Sequence, residues 1–552
     1  MEKVWLKQYQ EGIPENITVD SKTSLVELIE SCCEKYHALP AFTCMGKTLT
    51  YKEMEDYTAQ LGAYLTSHLG LEKGDRVAVM MPNILQNPIS ILAILRAGLT
   101  VVNVNPLYTA RELEYQLKDS GAKAIIIVEN FAHVLEGIIA NTPVKHAVVT
   151  SLGEMLGFPK SMIVNFVIRK VKKMVPQFQL KDHHTFKQAL EIGKSKTFKQ
   201  HKVGLEDLAF LQYTGGTTGV SKGAMLTHGN LCSNVEQAFQ WLAKYVDIGK
   251  EVIITALPLY HIFALTANCM TFMKIGGHNI LIPNPRDIPG FIKELAKHPF
   301  TAFTGVNTLF NALLNDPDFM ELDFSTLKIT LGGGMAVQKP VADQWQKVTK
   351  VPLIQAYGLT ETSPAACINP LDLPEFNGSI GLPISDTEVS IRDDDNNELG
   401  FGEPGEICIK GPQVMKGYWQ KPEETKKVLT EDGWLRTGDI ATMDNKGYVF
   451  IVDRKKDMIL VSGFNVYPNE IEDVLVSHEG VLEAAAVGVP DPKSGEVVKV
   501  FAVKKDQNLT KDDLLAFCKQ NLTGYKIPKQ IEFRDELPKT NVGKILRRAL
   551  RD

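Results

Sequence analysis

The segment 213–223 combines the residue types that hold a polyphosphate. Its four glycines free the backbone to adopt positive φ and to turn successive N–H groups inward, which forms an anion-binding nest. Three threonines and a serine add hydroxyl donors, and a lysine adds positive charge. An alternative interpretation is a flexible surface linker. The residues expected to contact the phosphates, or the molecule that bears them, are Tyr213, Thr214, Gly215, Gly216, Thr217, Thr218, Gly219 and Lys222.

The flanking sequence predicts which elements position this loop. An apolar run at 208–211 precedes it, and a helix-like pattern begins near Thr227. We therefore predict a strand–loop–helix arrangement with the loop at a helix N-terminus. The P-loop of kinases and GTPases does not fit, because Ser221 precedes Lys222 and Gly223 follows it.

Length and composition limit the protein class. A chain of 552 residues is too long for one core, so two or more domains are expected. Its 44% hydrophobic and 23% charged residues are typical of a globular protein, and its net charge of −5 gives no reason to expect nucleic-acid binding. The eight scattered cysteines favour buried thiols in a reducing cytoplasm. The first residues lack an apolar signal core, so we expect a cytoplasmic protein.

Alternating helix and strand patterns predict an α/β fold. Amphipathic helices separate short apolar strands at 77–81, 100–104 and 124–128, and the same alternation runs from 251 to 355. Short strands and turns after Gly378 predict a small β subdomain. The expected fold is a large N-terminal domain of two α/β parallel-sheet subdomains plus this β subdomain, followed by a small α+β C-terminal domain.

Two segments invite a membrane interpretation. Residues 252–273 contain no Asp, Glu, Lys or Arg, but polar residues and Pro258 interrupt them, so we predict a core strand, a loop and a buried helix. Residues 161–175 form a basic amphipathic segment. Two interpretations stay open: the segment packs on its own domain, or it lies on an anionic membrane surface.

Further motifs follow the glycine-rich loop in a fixed order. Together with that loop they resemble the acyl-adenylate-forming superfamily, which includes acyl-CoA synthetases, luciferases and the adenylation domains of peptide synthetases. The resemblance covers the whole chain and is greatest to bacterial long-chain-fatty-acid–CoA ligases. In one respect the chain departs from them: Arg436 stands where histidine is commoner. The motifs are at 258–263, 332–334, 355–361, 433–439, 453–457 and 538–547.

The resemblance implies a two-step reaction that uses ATP, Mg²⁺ and CoA. A fatty acid carboxylate, with long-chain acids expected, attacks the ATP α-phosphate and releases pyrophosphate; the CoA thiol then displaces AMP. Two anions must meet in the first step, so the site needs cations and hydrogen-bond donors aimed at the phosphates.

The same resemblance assigns roles to individual residues. Glu361 is the expected Mg²⁺ ligand, and Thr360 is expected at the α-phosphate. Lys544 is the expected catalytic lysine, and His261 the expected gate near the acyl and CoA path. The remaining residues expected around adenine, ribose and phosphate are Gly332, Gly333, Gly334, Ala356, Tyr357, Gly358, Asp439 and Arg454.

Each residue taken singly has an ordinary interpretation. Glu361 and Asp439 would be solvated carboxylates, and Lys222 and Lys544 would be surface lysines. Tyr357 would belong to the core. Their joint occurrence in family order favours the functional interpretation.

The resemblance also implies two moving domains. Residues 1–453 would bind ATP and the acyl group, and residues 454–552 would form a small mobile domain that carries Lys544. The hinge would lie near 453–457, at Lys456. An ordinary charged linker is the alternative.

Other functions stay open at this stage. The chain could be an aryl- or medium-chain acyl-CoA ligase, a stand-alone adenylation enzyme that loads a carrier protein, or a fatty-acid-binding protein without activity. Its acyl chain-length preference cannot be predicted from the sequence, because apolar residues from separate segments line such pockets. Contact with the inner face of the membrane and a homodimer are further expectations.

Overall fold

The computed structural model describes residues 2–20, 22–214, 221–462, 464–540 and 542–551. Within these ranges no helix is both long enough and apolar enough to cross a membrane. All eight cysteines are buried free thiols, as predicted.

The helices are, in chain order, α1 (Leu25–Lys35), α2 (Tyr51–Ala63), α3 (Gln86–Arg96), α4 (Ala110–Ser120), α5 (Ala132–Glu136), α6 (Lys160–Phe166), α7 (Phe186–Lys194), α8 (His228–Leu242), α9 (Thr271–Lys274), α10 (Ile288–Leu295), α11 (Asn307–Leu314), α12 (Pro317–Met320), α13 (Lys339–Thr349), α14 (Pro422–Val428), α15 (Pro468–Val476) and α16 (Lys511–Asn521).

The strands are β1 (Pro40–Cys44), β2 (Lys47–Thr50), β3 (Arg76–Met80), β4 (Thr100–Asn103), β5 (Ala124–Val128), β6 (His146–Thr150), β7 (His184–Thr185), β8 (Leu208–Thr214), β9 (Lys222–Thr227), β10 (Val252–Thr255), β11 (His278–Leu281), β12 (Ala302–Gly305), β13 (Ile329–Gly332), β14 (Leu353–Gly358), β15 (Ala365–Ile368), β16 (Leu382–Pro383), β17 (Glu388–Arg392), β18 (Gly405–Lys410), β19 (Leu435–Met443), β20 (Val449–Arg454), β21 (Ile459–Val461), β22 (Phe464–Val466), β23 (Val481–Asp491), β24 (Gly495–Lys504) and β25 (Gln530–Arg534).

Two large sheets form the N-terminal domain. One has the order β7-β6-β5-β3-β4-β8-β9, and the other β16-β15-β14-β13-β12-β10-β11-β1-β2. Both are parallel at their centres and antiparallel at one or both edges. These sheets confirm the predicted α/β fold class.

Local sequence explains where several helices begin. Ser24, Thr50 and Thr109 each accept a backbone hydrogen bond, while a Glu three residues later bonds back to the cap. Every residue of α3 is buried, and its apolar residues Ile89 and Ile91–Leu95 belong to a core cluster that joins residues of both large sheets. This shared core fixes one sheet against the other.

The predicted strands at 77–81, 100–104 and 124–128 match β3, β4 and β5 within one residue. Segment 252–273 is core, as predicted: β10 is followed by a loop, a π-helical stretch (Ala264–Met270) and α9. Its apolar character therefore reflects burial in the protein interior.

One predicted arrangement is wrong. The loop after β8 leads into β9, which pairs antiparallel with β8, so the order is strand–loop–strand. Thr214 lies opposite Lys222 in this hairpin, and α8 begins only at His228, after Thr227 caps it. The loop is therefore at the end of a hairpin and not at a helix N-terminus.

Two smaller sheets complete the fold. A four-stranded antiparallel sheet, β17-β18-β19-β20, is the predicted β subdomain. The C-terminal region contains β21 to β25 with α15 and α16, and pairs β25 parallel to β24. It is the predicted small α+β unit.

Candidate active site

A cavity of about 2450 Å³ opens where the large sheets, the β subdomain and the C-terminal region meet. The carboxyl ends of β8 and β14 face it, which is where ligands bind in open α/β sheets. Most of the predicted site residues line this one cavity: Tyr213, Thr214, Lys222, His261, Gly333, Gly334, Ala356, Tyr357, Gly358, Thr360, Glu361, Asp439, Arg454, Lys456 and Lys544.

The centre of the predicted phosphate loop, Gly215, Gly216, Thr217, Thr218 and Gly219, lies outside the described residues. Its two ends are described. Ser221 Oγ donates to the Thr214 carbonyl oxygen at 2.5 Å, which ties the ends of the loop together. The Tyr213 hydroxyl donates to Asp119 Oδ2 at 2.7 Å, so this side chain anchors β8.

Lys222 and Glu361 lie on either side of Tyr418. The Tyr418 hydroxyl donates to Glu361 Oε1 at 2.7 Å, and Lys222 Nζ lies 4.7 Å from the centroid of the Tyr418 ring. Lys222 also forms an ion pair with Glu424, at 2.9 Å. Tyr418 thus orients the predicted metal ligand beside the predicted phosphate lysine.

Asp439 is the centre of a second polar cluster. It is buried, accepts a hydrogen bond from the Tyr357 hydroxyl at 2.7 Å, and lies 3.3 Å from Arg454 Nε. Burial and the nearby Asp439 carboxylate hold the pKa of Tyr357 well above its usual value, so the phenol keeps its proton and remains a donor. Each carboxylate oxygen has two lone pairs, so Asp439 retains capacity to accept further hydrogen bonds.

Two glycines beside the cavity allow neighbouring backbone segments to approach closely. A Cβ on Gly333 would lie 3.1 Å from the Ala356 carbonyl oxygen, and one on Gly358 only 1.8 Å from the Pro364 carbonyl oxygen. Gly332, which we expected near the nucleotide, instead lies in β13, where a Cβ would meet Val337 Cγ2 at 2.7 Å. Its small size therefore serves packing beneath the cavity.

Lys544 enters the cavity from the C-terminal region. Its Cε would lie 3.4 Å from a Cβ built on Gly334, whose φ is +79°. Burial between the two parts of the chain and the charge of Arg454 lower the pKa of Lys544 to about 8, although Asp439 and Glu361 act in the opposite direction. The Lys544 ammonium can therefore lose its proton at mildly alkaline pH.

His261 lies in the same cavity but remains uncharged. Burial and the positive charge of Lys544 lower its pKa to about 3. Its Nδ1 accepts a hydrogen bond from the Phe263 backbone N–H at 3.3 Å. A neutral imidazole at this place can line a passage but supplies no charge at neutral pH.

Comparison with known proteins decides the family. The pattern of the AMP-binding enzyme family matches residues 29–419, and that of the AMP-binding enzyme C-terminal domain matches residues 470–544. The chain belongs to the AMP-binding enzyme family.

Individual relatives span the same length. A long-chain-fatty-acid–CoA ligase of Salmonella typhimurium is 58% identical over 552 residues, which cover 100% of this chain and 98% of the relative. The structure of the anthranilate CoA ligase AuaEII in complex with anthranoyl-AMP aligns with a TM-score of 0.85 at 25% identity, covering 96% of this chain and 97% of that one. ATP-bound MatB from Rhodopseudomonas palustris aligns with a TM-score of 0.82 at 28% identity, covering 96% and 98%.

In this AMP-binding enzyme, sequence reasoning missed Tyr418 and Glu424, which contact Glu361 and Lys222. Tyr418 is 57 residues from Glu361 in sequence. An isolated bridge pairs it with Ala224 of β9, and the Trp419 backbone N–H donates to the Gly223 carbonyl oxygen at 2.8 Å. No short-range spacing signals such a contact.

Arg436 supports the β subdomain of the site. It donates to Glu406 Oε2 at 2.9 Å, and Glu406 Oε1 accepts from the Gly438 backbone N–H, also at 2.9 Å. The pair therefore braces the part of β19 that immediately precedes Asp439. Arg436 therefore lies near the end of the cavity that contains Asp439.

Proposed function

We propose that this chain is an AMP-forming long-chain-fatty-acid–CoA ligase. It converts a fatty acid, ATP and CoA into acyl-CoA, AMP and pyrophosphate. The observation that carries the proposal is the meeting of Glu361, Asp439 and Lys544 in one cavity, in a chain 58% identical over its whole length to such a ligase.

In the first half-reaction, a carboxylate oxygen of the fatty acid forms a bond to the α-phosphorus of ATP. The bond from that phosphorus to its bridging oxygen breaks, and pyrophosphate leaves with the electron pair. Lys544 holds the two reacting anions together, which lowers their repulsion in the transition state. Thr360 donates to the α-phosphate.

The nucleotide is held by residues of the large domain together with Arg454, the first residue of the small domain. Asp439 accepts from the ribose hydroxyls and Arg454 assists there, while Tyr357 offers its ring to adenine. Lys222 binds the β- and γ-phosphates, for which it must exchange the Glu424 carboxylate for phosphate oxygens. Ionic recognition of this kind is strong in a cavity that excludes water.

Glu361 is the residue that would hold Mg²⁺. Its half-buried carboxylate supplies the oxygen ligand that this hard cation prefers, and Tyr418 fixes its orientation. The metal, when bound, neutralises charge on the phosphates.

The acyl chain extends into the apolar end of the cavity. Trp241 and Leu242 of α8 and Phe272 of α9 line this end, together with Ile253 and Leu331 of the nine-stranded sheet. Apolar lining of this depth suits a long alkyl chain, whose burial is favourable for each methylene removed from water. His261 lines the passage near the reacting carboxylate.

In the second half-reaction, the CoA thiol attacks the carbonyl carbon of the acyl-adenylate, and AMP leaves with the bonding electrons of the acyl–oxygen bond. Residues 1–453 and 454–552 move relative to each other between the two steps, with Lys456 as the hinge. The rotation withdraws Lys544 and opens a path for CoA. The pKa of Lys456 is lowered to about 8 by burial and by Arg454, which is expected for a lysine crowded at a domain junction.

The enzyme is cytoplasmic and touches the inner face of the membrane through its segment 158–174. Phe158 is 84% exposed, and five more large apolar side chains there are each more than half exposed. Lys170, Lys172 and Lys173 are exposed beside them, so the surface is both apolar and basic. These two properties together fit an anionic lipid surface. The other five side chains are Met162, Ile163, Phe166, Val171 and Met174.

The substrate class is tested by pyrophosphate release from ATP over a panel of acids, with and without CoA. We expect the highest kcat/KM with palmitic acid, lower values with lauric and octanoic acids, and steady turnover only when CoA is present. Fastest turnover with ferulic acid or an amino acid would contradict the fatty-acid assignment. Turnover sustained by a carrier protein and not by CoA would contradict the thiol assignment.

A further inference from the structure

Helix α11 presents a row of polar side chains to the C-terminal region. Thr308 Oγ1 donates to the Gly543 carbonyl oxygen at 2.9 Å, and Asn311 Nδ2 donates to the Leu482 carbonyl oxygen at 3.0 Å. Positions 308 and 311 are three residues apart, so both side chains lie on one face of the helix. The two acceptors belong to separate parts of the C-terminal region, β23 and the loop that carries Lys544.

The polar face of α11 is held in place by the large domain itself. Asn307 Nδ2 donates to Gln338 Oε1 at 2.8 Å and Asn307 Oδ1 accepts from the Gln338 backbone N–H at 2.9 Å. Asn315 Nδ2 donates to Asn311 Oδ1 at 3.1 Å, which leaves the Asn311 amide N–H₂ directed at Leu482. The opposite face of the helix, with Phe310, Leu313 and Leu314, is buried.

On the side of the small domain, two hydrogen bonds tie Thr540 to Lys544. The Thr540 backbone N–H donates to the Lys544 carbonyl oxygen at 2.7 Å, and Thr540 Oγ1 accepts from the Lys544 backbone N–H at 3.1 Å. Gly543 has a φ of +83°, and a Cβ there would lie only 2.9 Å from Thr308 Oγ1. A hydrogen bond to Gly543 therefore sets the position of the next residue, Lys544.

We propose that Thr308, with Asn311, docks the C-terminal domain in the orientation that forms the acyl-adenylate, and that Thr308 is the residue that positions Lys544. The proposal rests on the domain rotation of the proposed function. After that rotation Gly543 and Leu482 no longer face α11, so the two hydrogen bonds exist in only one of the two working orientations.

This docking should affect only one of the two half-reactions. The donors are side chains of the large domain, and the acceptors are backbone carbonyl oxygens of the small domain. Removing a donor leaves the internal hydrogen bonds of the small domain intact. Loss of Thr308 Oγ1 should therefore slow adenylate formation without affecting thiol transfer.

The test measures both half-reactions in single turnover, one from ATP and fatty acid, the other from supplied acyl-adenylate and CoA. We expect Thr308→Val to slow adenylate formation roughly five- to tenfold, as loss of one hydrogen bond does, with the KM for ATP nearly unchanged. Asn311→Leu should act in the same direction. Both variants should transfer the acyl group from adenylate to CoA within about twofold of the wild-type rate, because these contacts are absent in that orientation.

Two further variants distinguish positioning from general damage. Thr308→Ser keeps the hydroxyl and should restore the adenylation rate. Thr326→Val is the matched control, because Thr326 Oγ1 also donates to a backbone carbonyl oxygen of its own domain, that of Phe300 at 3.0 Å. It should leave both half-reactions unchanged.

The outcomes separate this inference from the proposed function. Equal slowing of both half-reactions by Thr308→Val, or no slowing of either, would overturn the docking role. If Lys544→Ala also failed to separate the half-reactions, the fault would lie with the proposed domain rotation. If Lys544→Ala separated them and Thr308→Val did not, only the docking inference would be wrong.

Discussion

In the proposed mechanism, Lys544 carries the charge on which adenylate formation depends. In the conformation described here its pKa is lowered to about 8, first by burial and then by repulsion from Arg454. A lysine is active as a bridge between anions only while protonated. The protonation state of Lys544 therefore makes the rate of the first half-reaction depend on pH.

The pH dependence of adenylate formation follows from that pKa. As pH rises through about 8, Lys544 loses its proton and kcat/KM for adenylate formation should fall, because kcat/KM reports the free enzyme. Lys544→Arg should be slower but should lack this alkaline decline, since a guanidinium stays charged. Pyrophosphate release measured from about pH 6 to pH 10 tests this expectation. The same decline in both proteins would mean that another group titrates.

Segment 158–174 leaves large apolar side chains exposed at the surface of the protein. Helix α6 and the π-helical turn Val167–Val171 expose an apolar surface, while Arg169 pairs with Glu129 at 2.7 Å and fixes the segment to its domain. An exposed apolar surface that is fixed in position is suited to bind a membrane or another protein.

The membrane assignment predicts binding to vesicles of phosphatidylglycerol and phosphatidylethanolamine in a sedimentation assay. Replacing Phe158 and Phe166 by Ser should reduce binding at least about tenfold, because each aromatic buries a large apolar area. Phe401→Ser, at an exposed Phe of the β subdomain, is the control and should bind normally. Unchanged vesicle binding by the double variant would contradict this surface. A dimer that the same double variant dissociates would assign the surface to a homodimer instead.

The parallel strands could be predicted from sequence because each is a short apolar run bounded by turns. Strand β5 was predicted over its full length, Ala124–Val128. Strand β9 could not be recognised, since Lys222–Thr227 begins with a lysine and a glycine and is not a continuous apolar run, and only its pairing with β8 makes it a strand. Local patterns report burial and periodicity, but not which strand a segment will pair with.

The site shows the same limit. The motifs predicted residues that line one cavity, apart from Gly332, which lies in β13, and residues 215–219, which lie outside the described residues. The roles of these residues stay predictions. The residues that hold these side chains in position by hydrogen bonds could not be predicted from the sequence. Tyr418 and Thr308 belong to no motif, and they act through contacts 57 and 235 residues away in the chain.

At the scale of the whole molecule, the structure places Lys544 inside the cavity, which is the orientation that the proposed mechanism requires for adenylate formation. The C-terminal region is held there by contacts with α11 and by Arg547, which lies 3.4 Å from Asp453. The ion pair of Arg547 with Glu472, at 2.6 Å, lies within the C-terminal region and fixes the arginine. Burial raises the pKa of Asp453 to about 6, against the lowering effect of Arg547.

In the proposed mechanism, one lysine serves the first half-reaction and leaves the cavity before the second. Single-turnover kinetics of Lys544→Ala test it most directly. From ATP and fatty acid, the variant should form acyl-adenylate at least about 10²–10³-fold more slowly than the wild type, the usual loss for one transition-state charge contact. From supplied acyl-adenylate and CoA, it should form acyl-CoA at a rate near that of the wild type. An equal loss in both reactions would contradict the account, because Lys544 would then be structural or would remain in the cavity throughout.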